Sequence, residues 1–249
     1  MNETLKTINN RTSLRWYNKK KISREHMGSL IEAAINAPTA GNMVMYSIIH
    51  IQNKETMKKL AISCDSQPFI GSASDILIFV ADFNKWDNYY KNEGVYNNKG
   101  RIPGKVEMIL AFEDAMIASE NAVIAGESLG IGSCYIGDIM ENYDYHKELL
   151  DLPNYTIPLS MLTFGYYPED YRRIKRNRFK KEFIVFDEKY KKLDETELKK
   201  MFETKEKEFN SKASNEGKNF AKEFYNRKTN SHCKLDFEKS TEQWFKNWK

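Results

Sequence analysis

The sequence predicts a mixed α and β protein, with α/β or α+β layers, in which helices cover the faces of a sheet. Segments with the apolar periodicity of helices alternate with short apolar runs typical of strands, and this alternation favours packed layers over an all-helical bundle. Helices are predicted at Glu3 to Asn10, Ser23 to Ala37, Lys54 to Ser63, Glu107 to Leu129 and Glu141 to Leu150. Strands are predicted at Ser47 to Ile51, Ile76 to Ala81, Ser133 to Ile136 and Ser160 to Phe164.

The composition suits one elaborated globular domain. Of the 249 residues, 41% are hydrophobic and 13% aromatic, which is enough for a sizeable core, and 30% are charged, which is ordinary for a protein surface. The 39 basic and 35 acidic residues leave a net charge of +4 and are interspersed along most of the chain. Nucleic-acid binding is therefore weakly supported, and no nucleic-acid partner is expected.

The cysteines and the hydropathy of the chain indicate a cytoplasmic protein. Cys64, Cys134 and Cys233 are far apart and have no CxxC spacing, so we expect reduced thiols rather than a disulfide framework or a metal site. No charged-then-apolar leader opens the chain, and no apolar stretch approaches the roughly 20 residues that span a bilayer, so no membrane partner is expected. The four histidines are scattered, which disfavours hydrolysis by a catalytic triad.

The predicted helix from Glu107 to Leu129 has almost no polar face. Such a helix is expected to be buried nearly all round. Two arrangements would achieve this. One face can pack on the sheet and another against a second subunit, or the whole helix can lie at the centre of a monomer.

The C-terminal part has a different composition. After the apolar, strand-like Phe183 to Phe186, residues 187–218 are highly charged. One stripe in this segment predicts an amphipathic helix, and it comprises Leu198, Met201, Phe202 and Phe209. A second stripe predicts that the C-terminus docks, and it comprises Phe237, Trp244, Phe245 and Trp248. We divide the chain into a main domain of residues 1–186 and a helical extension of residues 187–249 packed on that domain.

An aromatic and polar insertion is predicted between Phe83 and Pro103. It runs from Asn84 to Lys91 and ends in the loop-forming Asn97 to Gly100. The segment either overhangs a pocket or is a surface excursion whose aromatics pack locally.

A candidate phosphate clamp lies near the N-terminus. In an extended backbone, alternate residues project to one side, so Arg11, Ser13 and Arg15 would face the same way. Two guanidinium groups around a hydroxyl suit a dianionic phosphate monoester.

Pro38 predicts a turn after the second helix. Proline forces the preceding residue out of helical geometry, so the chain after Ala37 should expose polar side chains and free amides. Thr39 and Asn42 could then act as hydrogen-bond donors and acceptors.

The order of these features resembles the FMN-dependent nitroreductase family: the clamp, then a helix, then Ala-Pro-Thr-x-x-Asn at residues 37–42. The resemblance covers most of Arg11 to Arg178, and the C-terminal part matches only larger members loosely. It implies an α+β, nitroreductase-like fold with a central, mostly antiparallel sheet flanked by helices. It also implies a homodimer with FMN at the subunit interface.

The resemblance assigns the FMN phosphate to Arg11, Ser13 and Arg15, with Thr12 at a position that tolerates variety. In the turn at Pro38, Thr39 replaces the family's usual serine and Asn42 matches its asparagine. Both are implied to reach the flavin, commonly from the partner subunit. The following residues, Met43 to Tyr46, depart from the family's usual run, which leaves the shape of the substrate pocket open.

Gln67 resembles the family's polar residue that faces the pyrimidine edge of the flavin. A primary amide both donates and accepts, as that edge requires. An ordinary turn residue is the alternative.

The glycine-rich segment from Gly126 to Gly137 resembles the family's helix end, turn and following strand. It is not a Rossmann loop, because Gly130 and Gly132 follow a helix, lead into a strand, and lack the third glycine at position 135. The resemblance gives Gly137 a backbone amide facing flavin N5, with Ile136 as an apolar floor beside it. Arg176 and Arg178 are the candidates to complete the phosphate site.

The implied function is that of an FMN-dependent oxidoreductase. NAD(P)H would give hydride to flavin N5, and an electron-poor small molecule such as a nitroaromatic or quinone would then occupy the same pocket, which gives ping-pong kinetics. No side chain is expected to be catalytic, because the flavin carries the chemistry. The alternatives are a non-catalytic flavin carrier or sensor, closed by the Asn84 to Gly100 insertion, and a related enzyme for reductive dehalogenation or flavin supply.

Overall fold

A computed structural model describes residues 1–96, 101, 103–246 and 248, except for the side chains of residues 232–234. The chain forms two compact units, Met1–Arg173 with Asp236–Lys249, and Ile174–Leu235. The first unit holds the sheet and both hydrophobic clusters of the core. The division into domains of residues 1–186 and 187–249 stays a prediction, since compactness alone does not define a domain boundary.

A four-stranded sheet lies at the centre of the first unit. Its strands are β1 (Tyr46–Ile51), β2 (Asp75–Asp82), β3 (Ile131–Ile136) and β4 (Thr156–Tyr166). They lie in the order β1-β2-β4-β3, and every described pair of neighbours is antiparallel. Each strand contains the segment predicted for it, so the four predicted strands and the antiparallel sheet are confirmed.

The central strand β2 is buried along its whole length. Its alternate residues Ile76, Ile78 and Val80 belong to one hydrophobic cluster, while Leu77 and Phe79 belong to the other. Because successive side chains of a strand point to opposite faces, the two clusters occupy the two sides of the sheet. A strand covered on both faces accounts for the continuous apolar run in the sequence.

Ten α-helices are found in the described residues. They are α1 (Glu3–Asn10), α2 (Arg24–Ile35), α3 (Lys54–Ser63), α4 (Pro68–Ser72), α5 (Asn84–Asn92), α6 (Lys105–Ser128), α7 (Tyr143–Leu149), α8 (Glu195–Asn210), α9 (Phe220–Lys228) and α10 (His232–Lys246). The five helices predicted from sequence are confirmed as α1, α2, α3, α6 and α7. Polar caps fix several starts, because the side chains of Asn2, Ser23 and Asn53 accept hydrogen bonds from the first-turn amides.

Helix α6 packs on the sheet and on α2 through small side chains. Ala111, Ala115, Ala118 and Ala122 are fully buried, which lets the neighbouring elements approach closely. The opposite side is open, since Ile109, Met116 and Ile117 are 53%, 41% and 42% exposed. The arrangement in which the whole helix lies at the centre of a monomer is therefore wrong, because an apolar face of α6 is exposed in the described part of the chain. Burial of that face against a second subunit stays a prediction.

The aromatic stripe at the C-terminus docks into the first unit, as predicted. Trp244 and Trp248 are buried in its core, and Trp244 Nε1 donates a hydrogen bond to Met140 O at 2.9 Å. Phe245 contacts Phe112 of α6, with 6.2 Å between ring centroids.

The second unit, Ile174–Leu235, is built differently. The predicted strand at Phe183 to Phe186 is wrong: a short 3-10 helix ends at Phe183, and the two residues that follow, Ile184 and Val185, are exposed. Those residues gain nothing from a strand because no neighbouring strand pairs with them among the described residues. The predicted amphipathic helix is confirmed as α8.

Helix α5 begins the predicted insertion, and two side-chain hydrogen bonds join it to residues before and at the start of β1. Trp86 Nε1 donates to Met43 O at 2.7 Å, and Lys85 Nζ donates to Tyr46 O at 2.8 Å. The helix therefore lies beside the segment that follows Pro38. The predicted loop at Asn97 to Gly100 lies outside the described residues.

Cys64 and Cys134 are buried, unpaired thiols, as expected, while the side chain of Cys233 lies outside the described part. Within the described ranges, no helix combines the length and the hydropathy that crossing a bilayer requires.

Candidate functional site

The segment Arg11–Tyr17, here called the clamp segment, is attached to one edge of the sheet. Leu14 N donates to Ser133 O on β3 at 2.8 Å, and just beyond the segment Asn18 N donates to Tyr166 O at the end of β4 at 2.9 Å. Leu14 is buried while its neighbours Ser13 and Arg15 are exposed. This is the alternation expected of an extended segment with Arg15 and Ser13 on the outer side.

Two glycines let the clamp segment lie directly on the strands. A Cβ atom at Gly132 would stand 2.5 Å from Leu14 Cδ2, and one at Gly165 would stand 2.6 Å from Tyr17 Cδ1. Both distances are too short for any side chain. Gly132 was noted in sequence as part of a turn, but its role here is to make room for Leu14.

Tyr17 fixes the end of the clamp segment. Its hydroxyl donates to Leu14 O at 2.9 Å and shares a hydrogen bond with Thr163 Oγ1 on β4. Burial raises the pKa of Tyr17 well above its ordinary value, so the ring stays neutral and its hydroxyl remains a donor.

The two arginines lie beside Cys134 of β3. Burial raises the pKa of the Cys134 thiol, and the positive charges of Arg15 and Arg11 oppose that rise. The Arg15 guanidinium carbon is also 6.0 Å from the centre of the Phe69 ring on α4. The predicted cationic site is thus assembled where β3 meets α4.

One buried hydroxyl of the clamp segment has no partner. Thr12 Oγ1 forms no hydrogen bond within the described part of the chain. A buried polar group without a partner destabilises a structure, so such groups are suited to a polar ligand. This observation, together with the two arginines, fits a phosphate-bearing cofactor.

The buried carboxylate of Glu127 supports the clamp segment through Arg173 and Tyr167, and it was not identified from the sequence. Glu127 at the end of α6 forms an ion pair with Arg173 Nη1 at 2.8 Å and accepts from the Tyr167 hydroxyl. Arg173 also donates to Asn10 O at 3.0 Å, and the Tyr167 hydroxyl donates weakly to Thr12 O. Burial raises the pKa of Tyr167, and the hydrogen bond to Glu127 adds to that rise. Glu127 is one of five acidic residues of α6, and its place between the apolar turn of Val123 and Ile124 and the start of β3 was the signal that could have found this network.

The turn after α2 forms where Pro38 predicts it. The helix ends at Ile35, and Thr39 follows Pro38 in an extended conformation. The expectation of free amides is wrong for most of the segment Thr39–Met45, here called the Thr39–Met45 loop. The amides of residues 40 and 42–45 all donate within the chain. Asn42 and Thr39 keep their polar side chains available, Asn42 being exposed.

Asp114 of α6 organises that loop and was also missed from sequence. It is buried, and its two carboxylate oxygens accept from Ala40 N at 2.8 Å and from Met45 N at 3.0 Å. Its position among apolar residues of α6 was again the available signal.

Gln67 lies next to the end of β3, and its contact with the pyrimidine edge of the flavin stays a prediction. Its side-chain amide nitrogen donates to Asp138 Oδ2 at 2.7 Å and to Cys64 O at 2.9 Å. Its donors are therefore occupied, and Oε1 is left as an acceptor. Burial raises the pKa of the neighbouring Cys64 thiol to about 12, with a smaller contribution from the negative charge of Asp138.

Gly137 opens onto free space. A Cβ atom there would meet no atom within 4 Å, and the preceding Ile136 is buried as the last residue of β3. The backbone at Gly137 can therefore be approached closely by a flat molecule, which is what the resemblance implies for a flavin.

Arg176 and Arg178 belong to the second compact unit. There they line a cavity of about 810 Å³ together with other basic and aromatic residues, including Lys205, Arg227 and Phe220. Asn177 between them donates to Glu208 of α8. Their assignment to the FMN phosphate stays a prediction.

One histidine pairs with a serine although no such pair was apparent in sequence. His146 is fully buried and lies 2.8 Å from Ser63 Oγ through Nε2, while Nδ1 lies 2.6 Å from Glu141 O. Burial lowers the pKa of His146, so it is neutral and joins α7 to α3.

The predicted site residues of the first unit thus fall in two places. The clamp segment, Gln67 and the Ile136–Gly137 pair gather where β3 ends, and the Thr39–Met45 loop lies at the other edge of the sheet, ahead of β1. Neighbouring strands are about 4.8 Å apart, so these two edges are separated by roughly 14 Å.

Comparison with known proteins agrees with this arrangement. The family model described as "Nitroreductase family" matches residues 8–166. The chain belongs to the nitroreductase family. The matched range includes the clamp segment, the Thr39–Met45 loop, Gln67 and Gly137, but not Arg176 or Arg178.

Several named proteins are similar to this member of the nitroreductase family. It is 36% identical over 196 residues to "FMN reductase (NAD(P)H)" of Bacillus subtilis strain 168, covering 78% of this chain and 77% of that protein. It is 27% identical over 195 residues to "Oxygen-insensitive NADPH nitroreductase" of Salmonella typhimurium, covering 78% of each chain. The solved structure of B. megaterium NfrA2 has a TM-score of 0.80 and 31% identity, with 96% of this chain and 98% of that chain covered. The predicted family and nitroreductase-like fold are confirmed.

Proposed function

We propose that this nitroreductase-family protein is an FMN-dependent oxidoreductase that takes electrons from NAD(P)H and passes them to electron-poor acceptors such as nitroaromatics or quinones. Bound FMN supplies the chemistry, since flavin N5 accepts and returns hydride. The observation that carries the proposal is the placement of the two clamp arginines and the unpaired Thr12 hydroxyl beside a strand that ends at the open Gly137. The names of the similar proteins agree with it.

The clamp segment would hold the phosphate. Arg11 and Arg15 provide guanidinium donors, and Ser13 and Thr12 provide hydroxyls. Charge-assisted hydrogen bonds from arginine to phosphate are stronger than neutral ones, and paired guanidinium groups suit a dianion. The bond from Leu14 N to Ser133 O would keep this group at a fixed place on β3.

The ring would lie over the end of β3. Gly137 leaves room for it, Ile136 gives an apolar surface, and Gln67 Oε1 can accept from the N–H of the pyrimidine edge. Thr39 and Asn42, in the turn set by Pro38, would approach the same ring. They need to come from a second copy, because within one chain they lie at the opposite edge of the sheet.

A homodimer would bring the clamp segment of one subunit together with the Thr39–Met45 loop of the other. The uncovered apolar face of α6 provides a surface for it, with Ile109, Met116 and Ile117 all more than 40% exposed. Burial of such a face against its own copy is the usual solution for an isologous dimer. We place the enzyme in the cytoplasm, where its thiols would remain reduced.

Arg176 and Arg178 are proposed to complete the phosphate site. They lie in a cationic environment with Lys205 and Arg227, which attracts anions. If both arginines contact the phosphate, their replacement by glutamine should weaken the binding of FMN but not the binding of riboflavin. Equal binding of FMN before and after the change would remove them from the site.

Turnover is tested on the purified yellow protein without oxygen. NADPH should bleach the flavin promptly, and a nitroaromatic should restore its colour, with parallel double-reciprocal plots as expected for one pocket used in turn. Colour that persists after NADPH addition would instead indicate a flavin carrier or sensor. A colourless protein that cannot be reconstituted with FMN would contradict both.

A further inference from the structure

We propose that Asp114 is a positioning residue that holds the Thr39–Met45 loop in the shape that receives the flavin ring. The inference rests on the proposed function. It assigns a role in flavin binding to a side chain of α6 that the sequence pattern alone would place in the helix core.

In the described part of the chain, the hydrogen bonds of the Asp114 carboxylate go to that loop. Its two oxygens accept from Ala40 N at 2.8 Å and from Met45 N at 3.0 Å, so one side chain joins the two ends of a six-residue arc. The carboxylate is almost fully buried, with 1% of its surface exposed. A buried carboxylate with two amide donors is an anchor that water cannot replace.

The loop needs such an anchor because its backbone is strained. Gly41, Asn42 and Val44 all have positive φ angles, of 56°, 57° and 52°. Glycine adopts this conformation freely and asparagine tolerates it, but for a β-branched residue such as Val44 it is a true outlier. Strained residues persist only where their surroundings hold them, and they are concentrated at functional sites.

The other hydrogen bonds of the loop each reach only part of the arc. Thr39 Oγ1 accepts from Val44 N at 3.3 Å, which is long, and Trp86 Nε1 donates to Met43 O at 2.7 Å. Asp82 N donates to Met45 O at 2.9 Å at one end, and the amides of Asn42 and Met43 donate within the loop. In the described part of the chain, none of these bonds joins both ends of the arc. Asp114 is therefore the contact whose loss would let the arc relax and move Thr39 and Asn42 away from the ring.

A carboxylate suits this role better than an amide of the same shape. Each oxygen of Asp114 accepts one N–H, whereas asparagine has a single acceptor and would turn its NH2 toward the other backbone donor. The Asp114→Asn variant thus removes one hydrogen bond and places its NH2 group against a backbone N–H, while keeping the volume of the side chain.

The test measures dissociation constants for FMN and for riboflavin, at a temperature well below the midpoint of thermal unfolding of every variant. Asp75→Asn is the matched control, since Asp75 is also a buried carboxylate with several partners but lies at the other end of β1. Asp114→Asn should raise the dissociation constants of both ligands by the same factor, about tenfold or more. Asp75→Asn should lower the unfolding midpoint and change neither constant by more than about twofold.

The outcomes separate this inference from the proposed function. Unchanged riboflavin affinity in Asp114→Asn, or a loss no larger than that of Asp75→Asn, overturns the role of Asp114 while leaving a flavin-binding wild-type protein intact. A wild-type protein that binds no flavin overturns the proposed function itself. If Asp114→Asn cannot be purified, the Asp114→Asn/Val44→Gly double variant is compared with Val44→Gly alone, because glycine removes the strain. At least fivefold weaker flavin binding by the double variant supports the inference, and equal affinity overturns it.

Discussion

The clamp segment and the Thr39–Met45 loop are two parts of one proposed site that are held in different ways. The clamp segment is fixed by a backbone hydrogen bond to β3, by packing against two glycines, and by the hydroxyl of Tyr17. In the loop, one buried carboxylate joins Ala40 to Met45, Trp86 and Asp82 each contact a single position, and a β-branched residue has positive φ. The clamp segment therefore has several independent supports, while the loop is strained and has its two ends joined by the side chain of Asp114.

Because their supports differ, the two regions should respond to different kinds of substitution. A segment with several backbone and packing contacts should tolerate the loss of any one polar contact but not a change in the space that it occupies. A strained loop should respond to the loss of its anchor and should gain stability when the strain is removed.

The largest effect is expected from the space beneath the clamp segment. Gly132→Val places side-chain atoms within 2.5 Å of Leu14 Cδ2 and 2.7 Å of Tyr167 Cζ, where nothing can be accommodated without displacement. We expect a loss of about 3 kcal/mol in the free energy of unfolding, together with loss of FMN binding. Urea denaturation of the apoprotein measures the first quantity, and flavin fluorescence titration measures the second.

Gly137→Ala is the matched control for that prediction. Residue 137 has ordinary backbone angles and its Cβ would point into open space. Alanine should therefore not lower the free energy of unfolding, and should raise it by about 0.4–1 kcal/mol because it leaves the unfolded chain less freedom. The added methyl group should nevertheless reduce FMN affinity. A Gly132→Val protein as stable as wild type would contradict the proposed packing of the clamp segment.

A charge on the exposed apolar face of α6 should distinguish the contribution of the clamp segment to FMN binding from that of the Thr39–Met45 loop. Ile117→Glu puts a carboxylate in the proposed subunit interface, and sedimentation should show a monomer. The monomer keeps the clamp segment but loses the partner's Thr39–Met45 loop, so FMN should bind about 100-fold more weakly, which is roughly 2.7 kcal/mol. Its preference for FMN over riboflavin should survive, because the clamp belongs to the same chain.

Ile62→Glu controls for the introduction of a charge at an exposed isoleucine. Ile62 is 72% exposed on α3, away from the α6 face, and its replacement should leave both the sedimentation and the affinity unchanged. A dimeric Ile117→Glu protein, or a monomer with full affinity, would contradict the proposed interface.

A smaller, selective effect is expected for the clamp arginines. Arg15→Gln should weaken FMN about tenfold, since a hydrogen bond to a charged group is worth about 1.5 kcal/mol where water competes for it. Riboflavin affinity should stay the same, because riboflavin lacks the phosphate. Arg24→Gln, at an exposed arginine at the start of α2, should affect neither ligand. Equal losses for FMN and riboflavin would place Arg15 near the ring instead.

Much of this architecture could be predicted from local sequence. The alternating strands, the caps of α2 and α3 and the break at Pro38 follow from residue patterns over a few positions. The order of the clamp, helix and turn identified the family. Open space lies beside Gly137, as a flavin there would need, and the contact of its amide with flavin N5 stays a prediction.

The supports of the site could not be predicted in this way because they are long-range. Asp114 meets a loop about seventy residues earlier, and Glu127 meets Arg173, which follows the last strand. The sequence shows five carboxylates in α6 but not which of them are buried or what they contact. The strand predicted at Phe183 to Phe186 failed for a related reason: an apolar run becomes a strand only where a sheet edge receives it, and no such edge is present for it in the described structure.

The smallest predicted effect tests the strain in the Thr39–Met45 loop directly. Val44→Gly removes the unfavourable contact of Cβ at a φ of 52°, which costs about 1–3 kcal/mol for a β-branched residue, but it also gives the unfolded chain more freedom, by about 1 kcal/mol. We expect a net gain of about 1 kcal/mol in the unfolding free energy of the apoprotein, measured by urea denaturation. Val44→Ala keeps a Cβ at the same φ and should not be stabilised. If alanine stabilises the protein as much as glycine does, the gain comes from removing an exposed side chain rather than from the backbone, and the two regions differ only in their number of contacts.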